Sequence, residues 1–130
     1  MYIAKTKRIT VTVEPRYMAD RSEPGEGRFF WAYTIEIANE GASPVQILAR
    51  HWIITDQHGK REDVRGIGVV GEQPVIEPGA SFTYTSGCPL TTPSGTMVGT
   101  YQAIEVGGDI FTVNIPAFSL DIPGGKRVLN

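Results

Sequence analysis

The sequence predicts an all-β protein, an antiparallel sandwich of about seven strands in two sheets. The 130 residues include 15 glycines and 9 prolines, more than the average usage of about 7% and 5%. Between these turn residues lie short runs in which apolar and polar positions alternate, as in half-buried strands. No segment keeps a helical apolar period, because glycine or proline interrupts nearly every window long enough for a helix.

The length indicates a single domain over residues 1–130, with flexible ends at about 1–6 and 119–130. The net charge of −2 argues against a nucleic-acid partner, which would favour a basic face. Cys88 is the only cysteine, so no intrachain disulfide can form, and a lone thiol fits a cytoplasmic location. We expect no membrane association, since no run approaches the roughly 20 apolar residues of a membrane span. We also expect no secretory signal, because the N-terminal residues lack an apolar h-region.

The first half of the chain predicts three strands. Lys7–Glu14 alternates and is expected to end at Pro15, and residues 16–27 are expected to form a mobile loop. Arg28–Ala38 places four large apolar residues on one face, and Val45–Thr55 is apolar on both faces. The apolar face of Arg28–Ala38 consists of Trp31, Tyr33, Ile35 and Ile37.

The second half predicts the remaining strands. Lys60–Arg65 is polar, which suits a sheet edge. Residues 66–80 form a Gly/Pro-rich connection before the strand Ser81–Ser86, and residues 88–95 form another loop. The last hairpin, Thr96–Val106 and Asp109–Ile115, turns at two adjacent glycines.

Two residues predict an immunoglobulin- or fibronectin type III-like sandwich. Trp52 lies mid-strand where such domains place a core tryptophan, and Tyr101 lies where they place the tyrosine corner. If Trp52 points inward, strand alternation turns Arg50 inward as well. Arg50 then needs a partner, a place at the rim, or a β-bulge nearby.

Four segments resemble the ApaG family of small bacterial proteins over nearly the whole chain. These segments are ITVTVEPRYM at 9–18, RHWIITD at 50–56, GIGVVGEQPVIEPGASFTYTSG at 66–87 and TPSGTMVGTYQ at 92–102. The resemblance implies a fibronectin III-like sandwich with sheets of three and four strands. It also implies a genetic association with diadenosine tetraphosphate metabolism, cobalt resistance and magnesium efflux. Related domains of eukaryotic F-box proteins and of a polymerase-delta-interacting protein imply protein–protein contact.

The spacing Gly66-x-Gly68-x-x-Gly71 suggests a phosphate-binding loop, with Arg50, Arg61 and Arg65 as candidate cations. The two prolines that follow exclude the helix whose N-terminus would stabilise the anion, but a backbone nest needs no helix. The alternative interpretation is a glycine-rich loop that crosses between the sheets.

Other chemistry has weaker support. The only plausible metal ligands are His51, Asp56, His58 and Asp63. Each of these residues is also common in the strand or turn where it lies. We therefore predict neither a metal site nor a cofactor. Cys88 has no histidine paired with it in the sequence, and no serine lies in G-x-S-x-G. We therefore predict no catalytic residues and no enzymatic activity.

The third strand suggests an interaction surface. Ile47, His51 and Ile53 share one face, which contacts a partner if the opposite face packs in the core. The alternative is that residues 16–27 cover this face. The sequence favours a non-enzymatic module that binds a partner protein, and it leaves open whether this partner is a second copy of the chain in a homodimer. The alternative function is binding of pyrophosphate or nucleotide polyphosphates at residues 66–71.

Overall fold

The computed structural model describes residues 1–123, which form nine strands in two antiparallel sheets. This arrangement confirms the predicted all-β sandwich, with β1 and the two-residue β6 added to the seven strands expected. Two 3₁₀ helices, Ala19–Arg21 and Pro24–Glu26, lie between β2 and β3. The strands are β1 (Tyr2–Thr6), β2 (Ile9–Tyr17), β3 (Phe29–Asn39), β4 (Val45–Asp56), β5 (Arg61–Ile67), β6 (Val75–Ile76), β7 (Ser81–Leu90), β8 (Gly95–Glu105) and β9 (Ile110–Leu120).

One sheet has the strand order β1-β2-β3-β7, and the other has the order β5-β4-β8-β9, with β6 also paired to β4. The sheets therefore have four and five strands, because β1 and β6 each extend one of the sheets of three and four strands that the resemblance implies. β5 and β7 each pair with one strand only within residues 1–123, and they are edges of opposite sheets. Within the same residues, no helix has the length and apolarity that crossing a membrane requires.

The core lies between the sheets and follows the alternation of the strands. On β3, the predicted inward residues Trp31, Tyr33, Ile35 and Ile37 are all buried. Burial of one large apolar side chain favours folding by roughly 1.5–3 kcal/mol. Because β3 buries these four, it contributes strongly to holding its sheet against the core. The opposite sheet contributes buried residues from β4, β8 and β9, namely Val45, Ile47, Trp52, Met97, Tyr101, Ala103, Val113, Ile115, Phe118 and Leu120.

A β-bulge at Leu48 reverses the faces of β4. Ile47 pairs with Ala103 and Ala49 pairs with Gln102, so Leu48 is an extra residue in the strand. Ile47 before the bulge and Trp52 after it can therefore both point into the core, where they are 0% and 3% exposed. The prediction that Ile47 belongs to an interaction surface is wrong, because the bulge changes the alternation on which it was based.

The N-terminal residues, expected to be a flexible end, instead form β1, which pairs with β2 from Tyr2 to Thr6. At the other end, β9 continues to Leu120, and residues 124–130 of the predicted flexible tail lie outside the described residues. Pro15 does not end its strand. It pairs with Tyr33 of β3, and β1 pairs with β2 only as far as Val13. The side of Pro15 that lacks an N–H therefore faces no neighbouring strand, and no ladder bond is lost.

Two predicted loops are more regular than expected. Residues 88–90 were assigned to a loop but complete β7, and Cys88 is buried there opposite Trp31. Residues 16–27 were expected to be mobile, yet the helix Ala19–Arg21 contacts β3. Ser22 Oγ accepts from the N–H of Phe30 at 3.0 Å and donates to the Met18 carbonyl at 2.8 Å, which fixes this segment beside β3.

Candidate functional site

The loop with the G-x-G-x-x-G spacing is a tight hairpin whose amides are mostly used within the fold. Gly68 N–H donates to the Leu48 carbonyl at 2.8 Å, and Val69 N–H donates to the Glu72 carbonyl at 2.8 Å. Val70 and Gly71 both have positive φ (40° and 81°), as in the two-residue turn of a β-hairpin. These contacts argue against an open anion nest in this conformation.

Arg50 is also used inside the fold. It points inward with Trp52, and its Nη1 donates to the carbonyls of Ile67 at 3.1 Å and Gly68 at 3.0 Å. Its guanidinium lies directly over Gly66, where an added Cβ would be 2.6 Å from the guanidinium atoms. The inward-pointing guanidinium of Arg50 therefore has backbone carbonyl acceptors at the rim of the sandwich. Gly66 leaves room for it because it has no side chain.

The other two candidate arginines lie on the opposite face of the sheet. Arg61 Nε donates to Asp63 Oδ1 at 2.8 Å, and Asp63 Oδ2 lies 2.8 Å from His51 Nε2. Arg65 is the cross-strand neighbour of His51 on this outer face. The structure therefore does not bring Arg50, Arg61 and Arg65 together around the glycine loop.

His51 and Ile53 share the outer face of β4 as predicted, and the Ala19–Arg21 helix of the segment expected to cover them contacts β3 of the other sheet instead. Ile53 pairs with Val98, which is 39% exposed, and His51 is bound to Asp63. The guanidinium of Arg61, and secondly His51, lower the pKa of Asp63 well below its ordinary value. This outer face is an ordered polar network with a small apolar margin.

The metal hypothesis gains no geometric support from the described residues. Asp56 Oδ1 accepts from the backbone N–H groups of His58 and Lys60, each at 2.9 Å, and so serves the β4–β5 turn. Within residues 1–123, no three His, Cys, Asp or Glu side chains lie close enough to hold a metal ion. The His51 imidazole is therefore paired with Asp63, and the backbone of His58 is held in the β4–β5 turn.

Strand β7 is an open edge that the sequence analysis did not single out. It pairs only with β3 among the described strands, and its ten residues contain no Asp, Glu, Lys or Arg. The other sheet ends in β5, which carries four charged residues in seven, and in β9, which carries none but packs against β1 and β2. Charge on an edge strand discourages addition of another chain, so β7 lacks the protection that β5 has.

The pairing of β3 shows which backbone groups β7 leaves open. Phe30 turns its N–H and C=O away from β7, because they bond to Ser22 Oγ and the Met18 N–H. In an antiparallel ladder the orientation alternates, so the residues opposite Phe30 and every second residue along β7 face the open edge. These residues are Ser81, Thr83, Thr85, Gly87 and Pro89.

The signal for this site was present in the sequence as a run without charge. The sequence pattern predicts a strand only as far as Ser86 and does not assign it to an edge, since strand order is a tertiary property. Within residues 1–123, β7 pairs with β3 and with no other strand, and this pairing is what identifies it as an open edge.

Comparisons with known proteins agree with this fold. The family model for the ApaG domain matches residues 19–105. Proteins named ApaG from Methylorubrum populi and Brucella anthropi are 58% and 59% identical over 130 residues, covering all of both chains. The crystal structure of a putative ApaA protein from Bordetella pertussis is 49% identical with a TM-score of 0.87, covering 89% of this chain and 94% of that one. The chain belongs to the ApaG family.

Proposed function

We propose that this protein is a non-enzymatic β-sandwich module that binds a partner protein by adding a strand of the partner to β7. The observation that carries the proposal is the open edge of β7, ten residues long and without charge. An added strand would bond to backbone groups that residues 1–123 leave unpaired, which is how β-augmentation supplies affinity.

The size of the edge supports a specific contact. Ser81, Thr83, Thr85 and Gly87 each present an N–H and a C=O, and Pro89 presents a C=O only. Pro89 occupies an edge-facing position, one of the few places where a strand tolerates proline. The ladder available to a partner therefore begins at Ser81 and its last donor is Gly87.

The absence of enzymatic activity is part of the proposal and rests on how the reactive groups are used. Burial raises the pKa of the Cys88 thiol to about 12, so almost no thiolate is present at neutral pH. The His51 imidazole is paired with Asp63, and the bond from His58 to Asp56 is made by its backbone N–H. A buried single thiol also supports a cytoplasmic location.

The family associations fit an adaptor role. A module that binds other proteins can link them to diadenosine tetraphosphate metabolism, cobalt resistance or magnesium efflux without handling nucleotide or metal itself. We propose that these associations of the ApaG family act through the partner of β7.

Affinity capture with edge variants tests this function. Thr83→Pro removes one edge-facing N–H while the bonds to β3 stay, and Thr96→Lys changes an exposed threonine of β8, a strand paired on both sides. We expect a protein that wild type and Thr96→Lys recover from lysate of the producing cell, and that Thr83→Pro does not. Equal recovery by Thr83→Pro, or no specific recovery by wild type, contradicts the proposal.

Binding of pyrophosphate or a nucleotide polyphosphate is the second candidate function. One observation favours it, a shallow cavity of about 460 Å³ on the outer face of the sheet that His51, Arg65, Thr100 and Gln102 border. NMR titration with pyrophosphate tests it: shifts confined to residues 66–72 and 50–51 would support the site. Unmoved amide signals there at millimolar ligand would eliminate it.

A further inference from the structure

A cleft of about 410 Å³ opens between the two sheets at the point where β7 ends. Pro89 and Leu90, the last residues of β7, line it together with Phe29 of β3 and Ile54 of β4. Phe29 is buried, and Ile54 and Leu90 are half-buried against the core. This volume is typical of small ligand sites, and its floor is apolar. We call it the anchor cleft.

The charges around the anchor cleft are balanced. Arg28 forms a salt bridge with Glu23. The carboxylate of Asp56 accepts a hydrogen bond from the backbone N–H of Lys60. The remaining charged groups of the wall are the cations of Arg21 and Lys60 and the carboxylate of Glu62. With Asp56, they carry no net charge, so the cleft does not favour an ion of either sign.

An added strand would lead directly into this cleft. Side chains of a strand paired to β7 alternate between the outer face, beside Thr83 and Thr85, and the inner face. The partner residue opposite Leu90 therefore points inward, between the sheets. Because Pro89 has no N–H, no edge donor follows Gly87, and the partner chain is released from pairing at the mouth of the cleft.

We propose that the ligand of β7 is an extended, uncharged segment anchored by one bulky apolar side chain in the anchor cleft. The uncharged edge and the electrically balanced cleft both match such a segment. This inference rests on the proposed strand addition at β7 and adds the feature that selects the partner. The edge supplies sequence-independent backbone bonds, and the cleft supplies specificity.

Short synthetic peptides test the anchor. Acetylated and amidated peptides alternate threonine with glutamine and carry phenylalanine at the inward position near either end, so that both strand directions are sampled. Matched peptides carry alanine, lysine or glutamate there. We expect the phenylalanine peptide to bind on the order of tenfold or more tightly than the others in fluorescence anisotropy. Leu90→Lys should abolish this preference for phenylalanine. If Leu90→Lys lowers the unfolding temperature, Lys60→Trp replaces it as the test. This substitution fills the cleft from an exposed position on its wall and should also abolish the preference.

The outcomes separate the two proposals. Equal binding of all four peptides that Thr83→Pro abolishes overturns the anchor and retains strand addition. A phenylalanine preference that survives Thr83→Pro retains the cleft and overturns strand addition. Tighter binding of a charged peptide, or no binding of any peptide to the wild-type protein, overturns the anchor.

Discussion

The hydroxyl oxygens of Tyr84 and Tyr101 lie 2.5 Å apart in the interior and join β7 of one sheet to β8 of the other. Tyr101 is 0% exposed and Tyr84 is 8% exposed. In a tyrosine corner the hydroxyl bonds to the backbone of its own region, whereas here it bonds across the sandwich. The pair is a buried polar link between the two sheets.

Removing one hydroxyl should therefore weaken the fold unequally. Tyr84→Phe leaves the Tyr101 hydroxyl buried without a partner, and we expect a loss of about 1–3 kcal/mol in the free energy of unfolding. Tyr101→Phe should cost less, because Tyr84 is nearer to the surface. Urea unfolding of both variants and of the double variant measures this. The double variant should cost less than the sum, and additive costs would show that the hydroxyls do not interact.

Burial of Cys88 predicts that the fold weakens in alkali. Burial, and secondly the charge of Glu62, raise the pKa of this thiol from 9.0 to about 12. Because the folded pKa is the higher one, the stabilisation is complete below the unfolded pKa and is lost as the pH rises from about 9 towards 12. Thermal unfolding of wild type and Cys88→Ala at pH 7–11 should show a smaller alkaline decline in the variant. Parallel declines would mean that the thiol titrates normally.

The alternation of β7 predicts how it responds to proline. Thr83 faces the open edge, so Thr83→Pro loses no bond to β3, while Ser86 faces β3 and Ser86→Pro removes a ladder bond. We expect Ser86→Pro to be less stable than Thr83→Pro by about 1–3 kcal/mol. Equal costs in urea unfolding would show that the assigned orientation is wrong.

The glycine loop predicts two different costs for adding a methyl group. At Gly68, with φ 62°, a Cβ would lie 1.9 Å from the Glu72 carbonyl oxygen, whereas at Gly71, with φ 81°, nothing lies within 4 Å. Gly71→Ala should therefore cost only the strain of the left-handed region, about 1–2 kcal/mol. Gly68→Ala should cost clearly more, because backbone atoms must also move. Similar unfolding midpoints for both variants would contradict this structural role.

The sequence was sufficient for the sandwich because the strands alternate and turn residues separate them, as on β3. It was insufficient wherever one residue changes the alternation. The bulge at Leu48 allows Ile47 and Trp52 to point inward together, and no local pattern marks which residue is the extra one. Pro15 shows the same limit, since its position in a strand depends on which neighbour is absent.

The candidate sites show a further limit. The glycine spacing identified a loop with real conformational demands, but sequence could not show that its amides and Arg50 are used inside the fold. The open edge at β7 was missed for the opposite reason. Strand order decides it, and strand order depends on contacts between residues far apart in the chain.

Amide hydrogen exchange along β7, followed by NMR, tests the open edge most directly. The amides of Thr83, Thr85 and Gly87 should exchange quickly, while those of Tyr84, Ser86 and Cys88, which face β3, should be protected. Alternating protection is the result that an edge available for strand addition requires. Uniform protection of all six amides would mean that the edge is already covered and would contradict the proposed function.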